Sequence, residues 1–415
     1  MSVLNKYKNS NRDTMKPDLI MLTNNYPNYP LTSESWLADE IQFSHNWFNS
    51  VQIIPNYDSG KYVKLPKNCE VINWNSQAKL RLNFKEKLKC IKIVLSDFTN
   101  YSNKLIFLKS FRYNLSQIKY LQLKANSIQI KNKRDPSNTI LYAYWSDNLL
   151  TTACLLKQKS HFFRIVSRAH GFDIFEDQNK NGVIPFRKFQ LKITDIMISV
   201  SNAGLKHLSE KHVDFKSKFS TSYLGNFEYG ENPFFLTNNF SMVTCSIIRS
   251  VKRLELMSDI LQNIKFNLVW HVIGNGPDLI KLKERVKKLP KNISVNFYGL
   301  LSEKEVINFY CSTPVNLFLS LSYSEGLPVS MMEALSFGIP IMSTDVGGCS
   351  EICNDNTGIL IPKDFDDKEV ADKITEFKNS KKNNLEFRNQ CKDYWNKNFN
   401  AETNYSRFSK EITCI

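Results

Sequence analysis

The 415-residue sequence lacks several features that would assign it to a specialised class of protein. Its nine cysteines are odd in number, scattered and never spaced C-x-x-C, which argues against a disulfide framework or a structural zinc site. A polar N-terminus and the lack of any uncharged apolar run of about 18 residues predict neither a signal peptide nor a membrane-spanning helix. No Asp and His cluster suggests a metal site, so we expect no metal and no resident cofactor. A reducing cytoplasm fits this pattern best.

What the sequence does contain is the composition of an ordinary folded chain, with 42% hydrophobic and 12% aromatic residues. Short apolar runs alternate with amphipathic stretches, which predicts parallel strands joined by helices. The series is interrupted by an asparagine-rich segment and then resumes. We therefore predict two doubly wound α/β domains that face a cleft. The expected divisions are an N-terminal domain over 1–225, a linker over 226–240, a C-terminal domain over 241–390 and a last segment over 391–415.

Positive charge is concentrated in one part of the chain. The net charge is +15, and residues 61–135 hold 17 Lys and Arg against four Asp and Glu, which supplies +13 of it. Such a basic surface favours the anionic inner face of a membrane, where each basic group contributes about 1 kcal/mol. An ordinary solvated face is the second interpretation. We expect no nucleic-acid partner, because no zinc-finger spacing, aromatic RNA-binding signature or basic zipper accompanies the charge.

The segment from Ser320 to Ile352, SLSYSEGLPVSMMEALSFGIPIMSTDVGGCSEI, contains the densest group of candidate functional residues. Pro328 suits the first turn of a helix and Gly338 the left-handed position after its end, so we predict a helix between them. Its N-terminus would present the free backbone N–H groups of Gly326 and Leu327 to an anion. A diphosphate fits such a position.

Two glutamates accompany this helix, Glu325 just before it and Glu333 on it. One carboxylate can accept hydroxyl hydrogen bonds from one part of a ligand while the other reaches a second part. A plainer interpretation makes Glu325 a helix cap and Glu333 a surface charge. The whole segment, however, resembles the donor-site signature of the family 4 glycosyltransferases, including its S-E-G-x-P-x-x-x-x-E-A and G-x-P-[IV] elements. These are retaining enzymes that use nucleotide sugars and have two Rossmann-like domains, the GT-B type.

The resemblance implies a role for each matching residue. Glu325 corresponds to the family glutamate that contacts the donor sugar near the reacting carbon, and Glu333 to the one that accepts the ribose hydroxyls. Gly276 lies in a turn similar to the family's G-x-G-P turn, which alone is a weak signal. Gly299, followed by Leu300, resembles the strand end whose backbone meets the nucleotide base.

A basic residue of the donor site is also implied. Lys252 occupies the place of the family lysine that neutralises the donor diphosphate, with an ordinary surface lysine as the alternative. The family usually has an arginine five residues earlier, where this chain has Ile247. Arg249 and Arg253 are the candidates to replace it, and we count Arg253 among the donor-binding residues.

The resemblance implies that the N-terminal domain binds the acceptor and the C-terminal domain the nucleotide-sugar donor. The N-terminal half carries shorter matches. His170, in an H-G-x-D sequence after a strand, resembles the acceptor-domain histidine that lies close to the sugar; a purely structural histidine is the alternative. The loop over 26–34, followed by Glu40, resembles the family's first loop, although Ser33 stands where a glycine usually precedes the glutamate. The segment over 391–415 resembles the C-terminal helix that packs back on the first domain.

These observations predict a retaining glycosyltransferase that moves a sugar from a nucleotide diphosphate donor to a hydroxyl acceptor, a lipid-linked or growing surface glycan. In this hypothesis Glu325, His170 and Lys252 act at the reacting groups. The expected location is the cytoplasm, at the inner face of the membrane, in the synthesis of a cell-envelope polysaccharide. The alternatives are a sugar-nucleotide epimerase on the same scaffold and a non-catalytic basic binding protein.

Overall fold

The computed structural model describes most of the chain. The described residues are 16–26, 35–57, 64–72, 81–101, 103–131, 134–179, 182–234 and 239–414, with the backbone alone at 35, 100, 130 and 131.

The N-terminal domain is built on a seven-stranded sheet in which all neighbouring strands are parallel. Its strands are β1 (Asp18–Asn25), β2 (Val51–Tyr57), β3 (Cys69–Val71), β4 (Thr139–Ala143), β5 (Arg164–Ala169), β6 (Ile196–Ser199) and β7 (Phe219–Thr221). Their order is β3-β2-β1-β4-β5-β6-β7, so the sheet grows first to one side of β1 and then to the other. The central strands β1, β4 and β5 are almost wholly buried, which explains their continuous apolar runs.

Helices cover both faces of this sheet. They are α1 (Ser35–Ser44), α2 (Phe84–Ser96), α3 (Lys104–Lys131), α4 (Asn148–Lys157), α5 (Arg187–Ile193) and α6 (Asn202–Lys211). Buried residues of α2 to α6 share one hydrophobic cluster with the sheet. Leu37 and Ile41 of α1 belong to a second cluster on the opposite face. Much of the basic stretch of the sequence therefore forms the helices α2 and α3.

The C-terminal domain repeats the same architecture with six parallel strands. They are β8 (Phe240–Cys245), β9 (Leu268–Ile273), β10 (Ile293–Gly299), β11 (Leu317–Ser320), β12 (Ile341–Thr344) and β13 (Gly358–Ile361), in the order β10-β9-β8-β11-β12-β13. Its helices are α7 (Leu256–Leu261), α8 (Leu279–Val286), α9 (Glu303–Ser312), α10 (Val329–Ser336), α11 (Cys349–Ile352), α12 (Asp367–Asn379), α13 (Leu385–Phe399) and α14 (Ala401–Cys414). The prediction of two doubly wound domains is confirmed.

The end of the chain differs in detail from the single helix expected over 391–415. Two helices, α13 and α14, meet at Asn400, whose extended backbone ends the first of them. Helix α13 begins at Leu385 and packs on α10 of the C-terminal domain. Helix α14 reaches the N-terminal domain, where Phe408 and Ile412 join the cluster around α1.

The chain crosses between the domains twice, and the two crossings are bonded to each other. Asn226 N donates to the carbonyl of Phe399 at 3.1 Å, and Ala401 N donates to the carbonyl of Asn226 at 3.1 Å. Gly225 is required here, because a Cβ at this position would lie 2.5 Å from the Cα of Ala401. The predicted linker is thus anchored beside the break between α13 and α14; residues 235–238 of it lie outside the described part.

Candidate functional site

A small, partly open cavity lies where the C-terminal sheet reverses its strand order, between β8 and β11. Open parallel sheets bind ligands outside the carboxyl ends of their strands at such a point. Residues that follow these two strands line the cavity together with charged and polar side chains from neighbouring turns. They include Ser246, Lys252, Ser322, Glu325 and Ser330.

Lys252 and Glu325, predicted separately from the sequence, are in direct contact in this cavity. Lys252 Nζ lies 2.5 Å from Glu325 Oε1, and the same carboxylate oxygen accepts a 2.6 Å hydrogen bond from Ser322 Oγ. Both side chains of the ion pair are more than four-fifths buried. An ammonium held at a carboxylate in this way can neutralise a diphosphate without leaving its neighbour.

Glycines explain how the Glu325 loop reaches its position. A Cβ at Gly347 would lie 1.9 Å from the carbonyl oxygen of Glu325, and Gly348 N donates a 2.8 Å hydrogen bond to the carbonyl of Gly326. On the other side, a Cβ at Gly326 would lie 1.8 Å from the carbonyl oxygen of His170. The loop is therefore clamped between two backbones, one from each domain, and only glycine fits at the contacts.

Helix α10 follows this loop as the sequence predicts. Pro328 is its N-cap residue, and Gly338, with φ of 73°, takes the left-handed position after its end. Leu327 is buried, while Ser330 in the first turn lines the cavity. The N-terminus of α10 therefore faces the cavity and contributes partial positive charge to it.

Glu333 lies on α10 in an acidic environment. Burial, together with the nearby Glu303, raises the pKa of Glu333 to about 7. Glu303 accepts a 2.7 Å hydrogen bond from the hydroxyl of Tyr229. From the N-terminal domain, Asp39 faces this group, and burial with Glu303 and Glu333 raises the pKa of Asp39 to about 8. Sequence reasoning missed Asp39, since nothing in α1 indicated that it would face Glu333.

His170 lies at the carboxyl end of β5 in an aromatic environment. Its ring centroid is 4.1 Å from that of Trp145 and 5.2 Å from that of Tyr144. Its Nδ1 lies 3.8 Å from Asp173 Oδ2, and in the described part of the chain neither ring nitrogen has a closer hydrogen-bond partner. Burial lowers the pKa of His170, so the ring is neutral at physiological pH.

The H-G-x-D sequence has a structural basis. Asp173 Oδ1 accepts hydrogen bonds from the backbone N–H groups of His170 at 2.7 Å and Gly171 at 2.9 Å. Its other oxygen accepts from Ser146 N at 2.8 Å. The aspartate therefore fixes the turn that carries His170. The same turn places Gly171 against Gly326, because a Cβ built on Gly171 would lie 3.4 Å from the Cα of Gly326.

A buried ion pair lies next to the same turn, at the end of β5. Arg168 donates to Glu40, both side chains having 0% exposure, and also to the carbonyls of Ser222 and Tyr223. Its guanidinium lies 4.2 Å from the ring centroid of Phe408 in α14. Glu40 is thus placed beside β5 in the core; Ser33 and Glu34 of the predicted first loop lie outside the described residues.

The two arginines proposed to replace the missing family arginine differ sharply. Arg253, in a left-handed conformation, donates to the carbonyls of Leu321 at 2.6 Å, Lys363 at 2.9 Å and Ser322 at 3.3 Å. These bonds use all of its donor nitrogens, so Arg253 holds the loop after β11. Arg249 is exposed near Lys252, and Ile247 is exposed as well.

The remaining predicted residues lie at the edge of the same domain. Gly276 packs on the 246–248 segment, because a Cβ there would lie 2.2 Å from the carbonyl oxygen of Ile248. Gly299 is left-handed, with φ of 71°, and has open space where its Cβ would be. Leu300 is exposed beside it. Close backbone packing accounts for Gly276, whereas Gly299 leaves room for a ligand.

One interdomain contact was not anticipated from the sequence. The two carboxylate oxygens of Glu351, in α11, accept hydrogen bonds from Asn202 N at 2.8 Å and Ala203 N at 2.9 Å, the first residues of α6. Gln178 Nε2 adds a 2.7 Å hydrogen bond to Ser324 Oγ across the same interface. In the sequence, Glu351 could have been singled out only by its place in the G-G-x-x-E segment that begins at Gly347.

Two further observations concern metals and membranes. Among the described residues no group of three or more His, Cys, Asp or Glu is arranged to hold a metal ion. No helix in the described part of the chain combines the length and apolar character that crossing a membrane requires.

Part of the sequence is similar to known proteins. Residues 239–397 match the sequence family described as glycosyl transferases group 1. The O-antigen biosynthesis glycosyltransferase WbnH of Escherichia coli is 36% identical over 116 residues, which are 28% of this chain and 31% of that relative. The chain thus matches about a third of the length of this curated relative.

Solved structures agree over nearly the whole chain. The apo lipopolysaccharide outer core galactosyltransferase WaaB has a TM-score of 0.64 at 16% identity, covering 95% of this chain and 99% of its own. Anabaena HepE in complex with UDP and glucose has a TM-score of 0.66 at 14% identity, covering 96% and 100%. The chain therefore has the two-domain GT-B fold, and its residues 239–397 are similar to the glycosyl transferases group 1 family.

Proposed function

We propose that the protein transfers a sugar from a nucleotide diphosphate sugar to a hydroxyl group with retention of anomeric configuration. The observation that supports this most strongly is the Lys252–Glu325 contact at the strand-order reversal, next to the backbone of His170 from the other domain. A donor at this point meets a cation, a helix N-terminus and a carboxylate. A nucleotide and glucose in the HepE complex are consistent with such a ligand.

Each group has a distinct part in the proposed reaction. When the bond from the anomeric carbon to the diphosphate breaks, negative charge grows on the leaving group, and Lys252 with the N-terminus of α10 stabilises it. Glu325 accepts hydrogen bonds from sugar hydroxyls. The neutral ring of His170 lies on the acceptor side and positions the sugar for attack.

Glu333 is proposed to bind the ribose. An ionised carboxylate accepts two hydroxyl hydrogen bonds well, and its place on α10, about one helical turn after Val329, suits the far end of a nucleotide sugar. Arg249 is proposed to assist Lys252, because Arg253 is fully engaged by carbonyls.

The reaction is proposed to need no metal, so excess EDTA should leave its rate unchanged.

We further propose that the acceptor is a lipid-linked or surface glycan and that the protein acts at the inner face of a membrane. The support is a surface that we call the α2–α3 tip, formed by the end of α2 and the start of α3. It exposes apolar and basic side chains together: Leu95, Phe98, Leu105 and Leu108, with Lys92, Lys104, Lys109 and Arg112. Phe98 packs edge-on against Phe107, and Lys104 Nζ lies 4.5 Å from the Phe98 ring centroid. Such a mixture suits the interface of an anionic bilayer.

The test combines donor and product analysis. The purified protein is incubated with a panel of UDP-, GDP- and dTDP-sugars and with octyl glycosides as acceptors, and products are followed by mass spectrometry. We expect a new glycoside whose anomeric configuration, read by NMR, matches that of the donor; the Glu325→Gln variant serves as the inactive control. An inverted product contradicts retention. A changed nucleotide sugar without transfer would indicate the epimerase alternative, and no binding of any nucleotide would contradict the whole proposal.

A further inference from the structure

Residues 171–179, which follow His170, form a segment that we call the clasp, because it reaches from the N-terminal domain to the loop of Glu325. Near its end, Gln178 Nε2 donates a 2.7 Å hydrogen bond to Ser324 Oγ in the C-terminal domain. Ser324 directly precedes Glu325 in the sequence. The N-terminal domain therefore touches this loop through the side chain of Gln178 as well as through the carbonyl of His170.

Contacts within the N-terminal domain hold the clasp in place. Its start is fixed by the aspartate of the H-G-x-D sequence, which binds two backbone N–H groups. Further along, Glu176 Oε2 lies 2.8 Å from His207 Nε2 and 2.9 Å from Lys211 Nζ, both on α6. At its end, Asn179 Nδ2 donates to the carbonyl of Phe172 at 2.7 Å. The clasp is therefore a well-supported segment that presents one amide side chain to the other domain.

The Glu325 loop is anchored by its own domain on either side of Ser324. The residue before Ser324 donates its backbone N–H to the carbonyl of Val251 at 2.8 Å. After Glu325, the carbonyl of Gly326 accepts a 2.8 Å hydrogen bond from the glycine pair that follows β12. Within the described part of the chain, the Ser324 side chain has no hydrogen-bond partner other than Gln178. The N-terminal domain thus supplies the anchor between the other two.

The position of this anchor bears on the carboxylate of Glu325. The carboxylate is held at Lys252 Nζ and Ser322 Oγ, and its backbone is the next residue after Ser324. A shift of the loop at Ser324 would therefore move the carboxylate relative to a sugar bound beside it. Misplacing a reacting group by about 1 Å can lower a rate about 10²-fold. The hydrogen bond from the clasp therefore acts where small displacements matter most.

We propose that Gln178 is a positioning residue for the reaction: its amide holds Ser324, and through it the Glu325 carboxylate, in the arrangement that cleaves the donor. The inference rests on the proposed glycosyl transfer and adds a means of regulating it. Because the hydrogen bond joins the two domains, the third anchor of the loop is present only while they are docked. Donor cleavage is therefore slower in the undocked protein, where water could otherwise consume the nucleotide sugar.

The test is a double-mutant cycle that combines Gln178→Met with Ser324→Ala. Methionine keeps the length of the glutamine side chain but lacks its amide, so the substitution removes the hydrogen bond and retains most of the packing. The measurements are kcat and acceptor KM for transfer to octyl glycosides, the slow hydrolysis of the UDP-sugar donor by water, UDP affinity by calorimetry and the melting temperature. Gln158→Met, which changes the exposed glutamine at the end of α4, is the matched control.

We expect each single variant to lower both transfer and donor hydrolysis about fivefold, the effect of losing one ordinary hydrogen bond. The double variant should also lose about fivefold and not about 25-fold, because both substitutions remove the same bond. UDP affinity and the melting temperature should stay at the wild-type values, since UDP is proposed to bind to the C-terminal domain. The control should behave as the wild type does.

The outcomes separate this inference from the proposed function. If the wild type neither binds UDP nor hydrolyses any donor, the proposed function itself fails, and this inference falls with it. If donor chemistry is present but Gln178→Met keeps the wild-type rates, or the losses of the two substitutions multiply, Gln178 does not act through Ser324. If Gln178→Met raises only the acceptor KM and leaves donor hydrolysis unchanged, the residue contacts the acceptor and the positioning role is wrong. A lower melting temperature with weaker UDP binding would show a purely structural role.

Discussion

Glu351 of the C-terminal domain caps a helix of the N-terminal domain through its contact with Asn202. One carboxylate oxygen accepts from Asn202 N at 2.8 Å and the other from Ala203 N at 2.9 Å, so two free N–H groups of α6 are satisfied from across the cleft. A negative charge at a helix N-terminus is stabilising as well. The docked arrangement of the two domains therefore depends in part on one side chain.

We predict that Glu351→Gln weakens domain docking. Losing the charge and one of the two acceptors at the helix end should remove about 1 kcal/mol, or about fivefold in the docked fraction. The value of kcat/KM for transfer should fall by a similar factor, and small-angle X-ray scattering should show a larger radius of gyration. Glu402→Gln, an exposed glutamate in the first turn of α14, is the control. Unchanged scattering and kinetics in Glu351→Gln would refute the role.

The buried pair of Glu40 and Arg168 leads to a prediction about stability. Removing one charge leaves the other buried and unpaired, so Glu40→Gln should lower the free energy of unfolding by about 3–5 kcal/mol. Urea denaturation measures it. The control, Glu284→Gln, breaks the exposed pair with Lys287 and should change stability by about 0.5 kcal/mol or less. Equal effects of the two substitutions would show that Arg168 finds other partners.

How much the sequence could predict depends on the range of the interaction. Apolar runs predict the strands buried in the centre of the sheet, such as β1 and β4. Pro328 and Gly338 likewise predict the two ends of helix α10. The edge strands β3 and β7 have three residues each, too short to give a periodic signal. The 28-residue helix α3 was not predicted as a helix, because only tertiary packing shows which face of it is buried.

Side-chain partners were harder to predict than positions along the chain. Lys252 and Glu325 could be chosen from a motif, but their contact depends on two loops 73 residues apart. The partners of Arg253 are carbonyls of the loops after β11 and β13, which no local pattern reveals. The proximity of Asp39 to Glu333 likewise depends on how the domains face each other.

Substitutions of the two glutamates of the donor site should affect different constants, kcat in one case and donor affinity in the other. Glu325→Gln should lower kcat by about 10²–10³ with little change in donor affinity, because its hydrogen bonds strengthen as the sugar reacts. Glu333→Gln should raise the dissociation constant for UDP about tenfold, since it removes a binding contact. Calorimetric titration beside initial-rate kinetics separates the two. Equal losses of UDP affinity in both variants would contradict the assigned roles.

The raised pKa of Glu333 adds a dependence on pH. The ionised carboxylate accepts the ribose hydroxyls, so UDP affinity should fall about tenfold per pH unit below pH 7, where Glu333 becomes protonated. Stability should show the opposite sign. A carboxyl whose pKa is higher in the fold than the ordinary 4.5 stabilises the fold below pH 4.5, and this stability is lost as the pH rises through 7. Glu333→Gln should flatten the pH profiles of UDP affinity and of stability, except for the part of the pH dependence that comes from Asp39, whose pKa is also raised.

Lys252→Ala should lower transfer by about 10²–10³, because it removes preorganised charge at the leaving diphosphate. Stability should fall by about 1–3 kcal/mol, because Lys252→Ala removes one partner of the mostly buried Glu325 carboxylate while the hydrogen bond from Ser322 remains. Lys265→Ala, an exposed lysine of the same domain, is the control. Arg249→Ala should raise the dissociation constant for UDP several-fold. If Lys252→Ala retains full turnover while Arg249→Ala loses it, the role of the cation passes to Arg249.

The α2–α3 tip should hold the protein to anionic membranes through apolar and basic groups together. Flotation with vesicles that contain phosphatidylglycerol should depend on salt, because the attraction decays over a Debye length of about 8 Å at physiological ionic strength. It should also weaken about a hundredfold in the Leu105→Ser/Leu108→Ser variant, since each leucine side chain gains about 1.5 kcal/mol or more on burial and about 1.4 kcal/mol corresponds to a factor of ten. Ile280→Ser, which changes an exposed apolar residue of the other domain, should float as the wild type does. If flotation does not depend on anionic lipid, on salt or on the two leucines, the basic residues of α2 and α3 form an ordinary solvated surface and do not bind the membrane.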